Sequence, residues 1–209
     1  LSLVSLPDYD LNQRISISKN IYTNKITLGV YEFGSVFKTF TVASGLENKV
    51  INPNTIFKNL ENSLTCDKYK ISEHDPLPKN LSVEQILVRS SNIGSVRIAQ
   101  KVGLENYKKF LNSLELFNKI NFDLDEVGSP LTFKWGKCKL ATASFGRGIA
   151  TTPLQLARAY AILGNGGYEI EPSILKKKKK LYKKGKQIVS TDTSNLLNLM
   201  LRNVVNLSE

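Results

Sequence analysis

Residues Tyr31 to Glu47 read YEFGSVFKTFTVASGLE, and the rest of the chain is organised around them. A glycine, Ser35, two apolar residues and Lys38 lead into apolar positions Phe37, Phe40, Val42 and Leu46 at helical spacing. The pattern predicts a turn running into a helix with Ser35 at its start. Residues three apart on a helix share a face, so the Lys38 amine can reach the Ser35 hydroxyl. Ser35 is then a nucleophile beside a candidate base.

That pairing has physical requirements. A lysine of ordinary pKa, roughly 10.4, cannot accept a proton while charged, and half-neutrality near pH 7 needs a shift of about three units, roughly 4 kcal/mol. Burial against Phe37 and Phe40 disfavours the ammonium, and a second cation nearby adds to the effect. The helix N-terminus also aims backbone N–H groups at an oxyanion formed on an attacked carbonyl. Serine acyl transfer is chemically reasonable here. Spacing alone does not establish it, because Ser16–Lys19 and Ser173–Lys176 repeat Ser-x-x-Lys in polar, lysine-rich surroundings. Taken by itself, the pattern fits a helix cap with Lys38 as a solvated first-turn residue.

A second constellation lies in Leu81 to Val102, LSVEQILVRSSNIGSVRIAQKV. Ser82 before Val83, Ile86 and Leu87 is a helix start, Ser90-Ser91-Asn92-Ile93-Gly94 interrupts, and a second periodic helix runs from Val96 to Val102. Ser90 and Asn92 therefore sit at a helix junction, where polar side chains can project into a cleft. Ser90 can relay a proton between Lys38 and a leaving group, and Asn92 can hold Lys38 and a substrate amide.

The totals bound the rest. At 209 residues with 41% apolar, the chain suits one globular domain, or one plus a fragment. Its net charge of +11 comes largely from lysine, including Lys176 to Lys180 with Lys183, Lys184 and Lys186. Such a run is a solvated loop, and no RNA motif or recognition helix accompanies it, so no nucleic-acid partner is expected. Cys66, Cys138 and a lone His74 make no metal site or thiol–histidine dyad. Buried free thiols are the expectation, with a disulfide open if the compartment is oxidising. No apolar run approaches a membrane span and no signal peptide is visible.

Elsewhere, Leu1 to Leu6 reads as a strand, Ile56 to Tyr69 as a loose hairpin, Leu104 to Leu116 as a helix, Phe117 to Pro130 as a loop and Asp192 to Val205 as a helix. Trp135 reads as core or lid packing rather than a substrate platform. Thr151 and Thr152 before Pro153 read as a helix cap with proline at the first helical position. Gly146 and Gly148 supply backbone freedom beside the cleft, with Arg147 between them a candidate contact for an anionic substrate group.

Together these stretches carry a resemblance. Ser35-Val36-Phe37-Lys38 after Glu32-Phe33-Gly34 resembles the Ser-x-x-Lys motif of penicillin-binding proteins and serine β-lactamases, and Ser90-Ser91-Asn92 resembles the Ser-x-Asn motif of class B penicillin-binding proteins. Val4-Ser5-Leu6-Pro7-Asp8-Tyr9-Asp10-Leu11-Asn12 is similar to a family segment in which proline is usual where Leu11 stands. Ser144 to Ala157, followed by Ala159-Tyr160-Ala161 and Asn165-Gly166-Gly167, resembles the family's glycine-containing loop and following helix, in the form of the cell-division (septal) branch. The four segments keep the family's order over nearly the whole chain.

The resemblance implies an α/β (α+β) fold of the penicillin-binding transpeptidase and serine β-lactamase type, an antiparallel sheet covered by helices with the Ser35 helix buried centrally. It implies a peptidoglycan D,D-transpeptidase in which Ser35 attacks a stem-peptide carbonyl, Lys38 is the base, Ser90 relays the proton and Asn92 positions the substrate. Gly34, Ser91, Gly146, Arg147 and Gly148 are the expected substrate-binding residues. β-Lactams would acylate the same serine, and no cofactor or metal is implied. Implied partners are stem peptides, β-lactams and, for an intact parent, a membrane glycosyltransferase and other division proteins. The intact parent would be a single-pass inner-membrane protein with a periplasmic catalytic domain. A β-lactamase or β-lactam sensor of the same fold, or a non-catalytic division scaffold, are the alternatives.

The family's third motif does not occur: there is no Lys-Thr-Gly or Lys-Ser-Gly, and Lys184-Gly185-Lys186 lies in the lysine-rich loop. Residues 1–209 are accordingly expected to be a partial transpeptidase domain, truncated at both ends and inactive alone, because that strand would supply an oxyanion donor worth about 10² to 10³ in rate.

Overall fold

Apolar residues at helical spacing have to be buried, and in the Ser35 stretch the burial extends to the polar residues between them. In the computed structural model of the chain, Gly34–Phe37 forms a 3-10 turn and α1 (Lys38–Glu47) continues from it, with every residue from Lys38 to Leu46 buried. The expected helix start is thus a tighter turn that leaves Ser35 exposed and sends Lys38 inward. Residues 3–6, 10, 12, 23–131, 133–136, 138–175 and 185–207 are described.

Among the described residues six further helices follow: α2 (Val83–Val88), α3 (Asn92–Val102), α4 (Leu104–Ser113), α5 (Lys139–Ala143), α6 (Pro153–Gly164) and α7 (Thr191–Asn206). α1 packs directly on α2, α3, α4 and α7, which makes it the central helix of the core. Phe37 and Phe40 are fully buried, each contributing roughly 1.5–3 kcal/mol by leaving water.

The helix starts follow from their caps. Ser82 and Gln85 form a reciprocal capping box on α2, and Thr152 and Gln155 form another on α6 with Pro153 just inside. Ser190 caps α7 and receives the Glu47 carboxylate from the end of α1, with Ser190 Oγ donating at 2.9 Å. Each cap stabilises its helix by about 1 kcal/mol. The helix expected over Leu104 to Leu116 stops at Ser113, and Glu115 beyond it takes a left-handed φ of 55°.

The described strands are short and antiparallel, as an α+β fold requires. β1 (Ile56–Phe57) pairs with β4 (Leu81–Ser82), and β2 (Ser63–Cys66) pairs with β3 (Tyr69–Ser72). They form two two-stranded sheets among the described residues. The hairpin is therefore displaced from the expected Ile56–Tyr69, because Asp67, with φ of 56°, makes the tight two-residue turn between Cys66 and Tyr69. Leu3 to Leu6 forms no strand. Leu1, most of the segment from Pro7 to Lys19, and Lys176 to Lys184 lie outside the described residues.

The free-thiol expectation is overturned. Cys66 and Cys138 form a disulfide with Cα atoms 5.7 Å apart, joining the β2–β3 hairpin to the segment that leads into α5. Their separation of 72 residues hides the pairing from any local reading. Trp135 packs edge-on against Tyr107, Phe117 and Phe133, as core packing requires.

Candidate active site

Lys38 follows the 3-10 turn directly and points inward, with 2% of its surface exposed. Its Nζ donates to Ser90 Oγ at 2.8 Å and also to the Ser90 carbonyl. Burial pushes the ammonium down from 10.5 to about 8, against the opposing pull of the Glu73 carboxylate. The amine is therefore partly neutral at physiological pH, the property a lysine base needs.

Ser90 can meet Lys38 because its backbone is left-handed, with φ of 52° between α2 and α3. A non-glycine residue in that region costs of order 1–3 kcal/mol, so surrounding structure must hold it. The holding residue is Glu73, just past β3. Its Oε1 accepts from Ser91 Oγ at 2.6 Å and from the Ile93 N–H at 3.0 Å, while Oε2 accepts from the Asn92 N–H at 2.7 Å. One carboxylate thus satisfies the first donors of α3, where it also opposes the positive end of the helix dipole.

Gly34, Ser35, Lys38, Ser90, Asn92 and Arg147 line one cleft of about 550 Å³, and Glu73, Arg89 and Phe145 line it too. Ser35 stands exposed at its wall, one turn from Lys38. The turn that presents it is clamped from outside: the Tyr160 hydroxyl of α6 donates to the Val36 carbonyl at 2.7 Å and lies 2.8 Å from Thr39 Oγ1.

Three other expected substrate-binding residues are not among those lining this cleft. Ser91 is fully buried, and its hydroxyl caps α3 by accepting from the Gly94 N–H at 2.8 Å. Gly146, with φ of 79°, lies so close to the turn that a methyl group there would stand 2.1 Å from the Gly34 carbonyl oxygen. Gly148, with φ of 71°, offers its carbonyl to the Lys139 ammonium of α5, which also lies 3.9 Å from the centre of the Phe133 ring. The Asn92 side chain lines the cleft, but its Nδ2 donates to the Ser72 carbonyl at 2.8 Å, and Lys38 binds Ser90 rather than Asn92.

Sequence reasoning missed Glu73 and Tyr160. No local signal marks Glu73, which stands 18 to 20 residues before the α3 donors it meets.

The family model for the penicillin binding protein transpeptidase domain matches residues 1–208. The chain belongs to that family. A Caulobacter vibrioides relative named "Probable peptidoglycan D,D-transpeptidase FtsI" is 33% identical over 208 residues, covering 98% of this chain and 35% of the relative. Among solved structures of this transpeptidase fold, a Burkholderia ambifaria peptidoglycan glycosyltransferase superposes with a TM-score of 0.82 at 27% identity, covering 88% of this chain and 59% of the other. The transpeptidase domain of penicillin-binding protein 3 from Burkholderia pseudomallei gives 0.81 at 26% identity, covering 87% and 56%. The chain spans about a third of the length of the curated transpeptidase relatives it matches.

Proposed function

We propose that this chain is the serine-bearing part of a peptidoglycan D,D-transpeptidase acting in cell division. The observation that carries the reading is the convergence of Ser35, Lys38 and Ser90 on one cleft, with Lys38 buried against Ser90 and held near pKa 8. Family membership and the names of the relatives, peptidoglycan D,D-transpeptidases, support peptidoglycan as the substrate class, read here as its crosslinking stem peptides.

In this reading Ser35 Oγ attacks the penultimate D-alanine carbonyl of a stem peptide. Its proton passes to neutral Lys38, directly or through Ser90 Oγ, and the Ser35 N–H donates to the developing oxyanion. Collapse of the tetrahedral intermediate breaks the C–N bond, and the proton is returned to the departing D-alanine amine. An amine of a neighbouring strand then attacks the ester, forming the crosslinking amide and restoring the Ser35 hydroxyl. A β-lactam acylates Ser35 by the same first step, its amide bond opening without a departing fragment. Asn92 positions the substrate through its remaining amide oxygen, and Arg147 meets an anionic group of the stem peptide.

The domain is read as part of a larger transpeptidase unit, anchored in the inner membrane with its catalytic face in the periplasm and working beside a membrane glycosyltransferase and other division proteins. No helix among the described residues is long and apolar enough to cross a membrane. The Cys66–Cys138 disulfide supports an oxidising, extracytoplasmic compartment. The testing experiment supplies the full-length protein that contains these residues with lipid-linked peptidoglycan precursor and a partner glycosyltransferase. Crosslinked dimers should form with the parent and vanish with Ser35→Ala, whereas equal crosslinking by both would refute the reading.

A further inference from the structure

Glu73 lies on a different structural unit from every expected catalytic residue, yet it determines how they meet. Its backbone N–H is fixed to the Asn62 carbonyl at 3.0 Å, so the carboxylate is presented by the β2–β3 hairpin rather than by a loose loop. Both oxygens are occupied by Ser91, Asn92 and Ile93, and the preceding carbonyl of Ser72 takes the Asn92 amide at 2.8 Å. The neighbouring residue, Ser90, is the left-handed one that offers hydroxyl and carbonyl to Lys38. Conformational cost at Ser90 is thus balanced by charge-assisted hydrogen bonds one to three residues away.

Resting on the acyl-transfer reading above, we propose that Glu73 is a positioning residue: it holds the start of α3 so that Ser90 faces Lys38, and its negative charge tunes the basicity of Lys38. Its oxygens are committed to α3, so it is not placed to activate a deacylating water. The other titratable and charged groups facing the Lys38 cleft are His74, Asp75, Arg89 and Arg147. His74 and Asp75 are strongly exposed and pair with each other at 3.0 Å, so their contribution is common to parent and variant. Burial favours the neutral Lys38 amine, and Glu73 opposes it.

The test compares the full-length protein that contains these residues, as parent, with its Glu73→Gln and Glu73→Asp variants, measuring the rate of Ser35 acylation by a fluorescent penicillin between pH 6 and 10. Glutamine cannot accept from all three donors and carries no charge. The plateau rate should fall on the order of tenfold, and the midpoint of the acid limb should move down by roughly half a unit to one unit, because the ammonium loses its favourable neighbour. Aspartate keeps the charge but is one methylene shorter, so the plateau should fall severalfold with the midpoint unmoved. A merely structural role would reduce the labelled fraction while leaving the midpoint of Glu73→Gln at the parental value, and that result overturns the inference. If Glu73→Gln does not fold, a parental rate in Glu73→Asp overturns it instead. Failure of the parent itself to label removes the acyl-transfer reading, and this inference with it.

Discussion

Lys38 Nζ donates to Ser90 Oγ at 2.8 Å although 52 residues separate the two in sequence. The bond spans the first turn of the central helix and the junction between α2 and α3, and burial on the α1 side lowers the Lys38 pKa to about 8. A base buried in this way works against stability, because the fold disfavours the very charge that water would welcome.

Lys38→Met should therefore abolish acylation while leaving the protein as stable as the parent, or more so, at pH 7. The native state holds its proton less tightly than the unfolded chain, in which lysine keeps its usual pKa near 10.5. Parental stability attributable to this group rises as pH climbs from about 8 to 10.5, and is lowest below 8. The advantage of Lys38→Met, expected at about 1–3 kcal/mol before the lost bonds to Ser90 are deducted, should shrink over that window. Denaturant unfolding at pH 7 and pH 10 checks it, and an advantage that widens at pH 10 would contradict it.

Gly146→Ala should disturb the nucleophile from behind. The new methyl would meet the Gly34 carbonyl oxygen at 2.1 Å in a backbone already at φ of 79°, so the turn carrying Ser35 must move. Acylation should fall by about tenfold or more, with a stability loss of roughly 1–3 kcal/mol. Gly103→Ala is the control: φ is 83° but nothing lies within 4 Å, so stability drops and the acylation rate holds. Equal rates for both variants would refute the role of the Gly146–Gly34 contact in placing Ser35.

Reduction of Cys66–Cys138, or the double Cys66→Ser, Cys138→Ser substitution, should lower stability by about 4 kcal/mol, as expected for release of a loop of some seventy residues. Because the hairpin it tethers carries Glu73, the melting temperature and the acylation rate should fall together. Melting with and without a reductant, beside thiol counting, reads the effect.

Much of this is legible in the chain. Ser35-x-x-Lys38 with apolar residues at helical spacing marks the buried helix, and Ser82 and Thr152 mark their helix starts by local capping chemistry. What is not legible depends on contacts far apart in sequence. Glu73 reaches residues 18 to 20 positions on, and the disulfide 72. Ser91 and Asn92 look equivalent as letters, but the left-handed turn at Ser90 sends one hydroxyl into the core and leaves the next side chain on the cleft. Gly146 reads as a flexible lining residue, and its real constraint is the Gly34 backbone pressed against it.

Ser35 as the acylated nucleophile is the point on which the mechanism turns. The most direct measurement is incubation of the full-length protein that contains these residues with a penicillin, followed by proteolysis and mass spectrometry of the adduct. The expected result is a single penicilloyl group on the peptide containing Ser35, absent from Ser35→Ala and slow to hydrolyse. No adduct in a folded parent, or an adduct that persists in Ser35→Ala, would contradict the account.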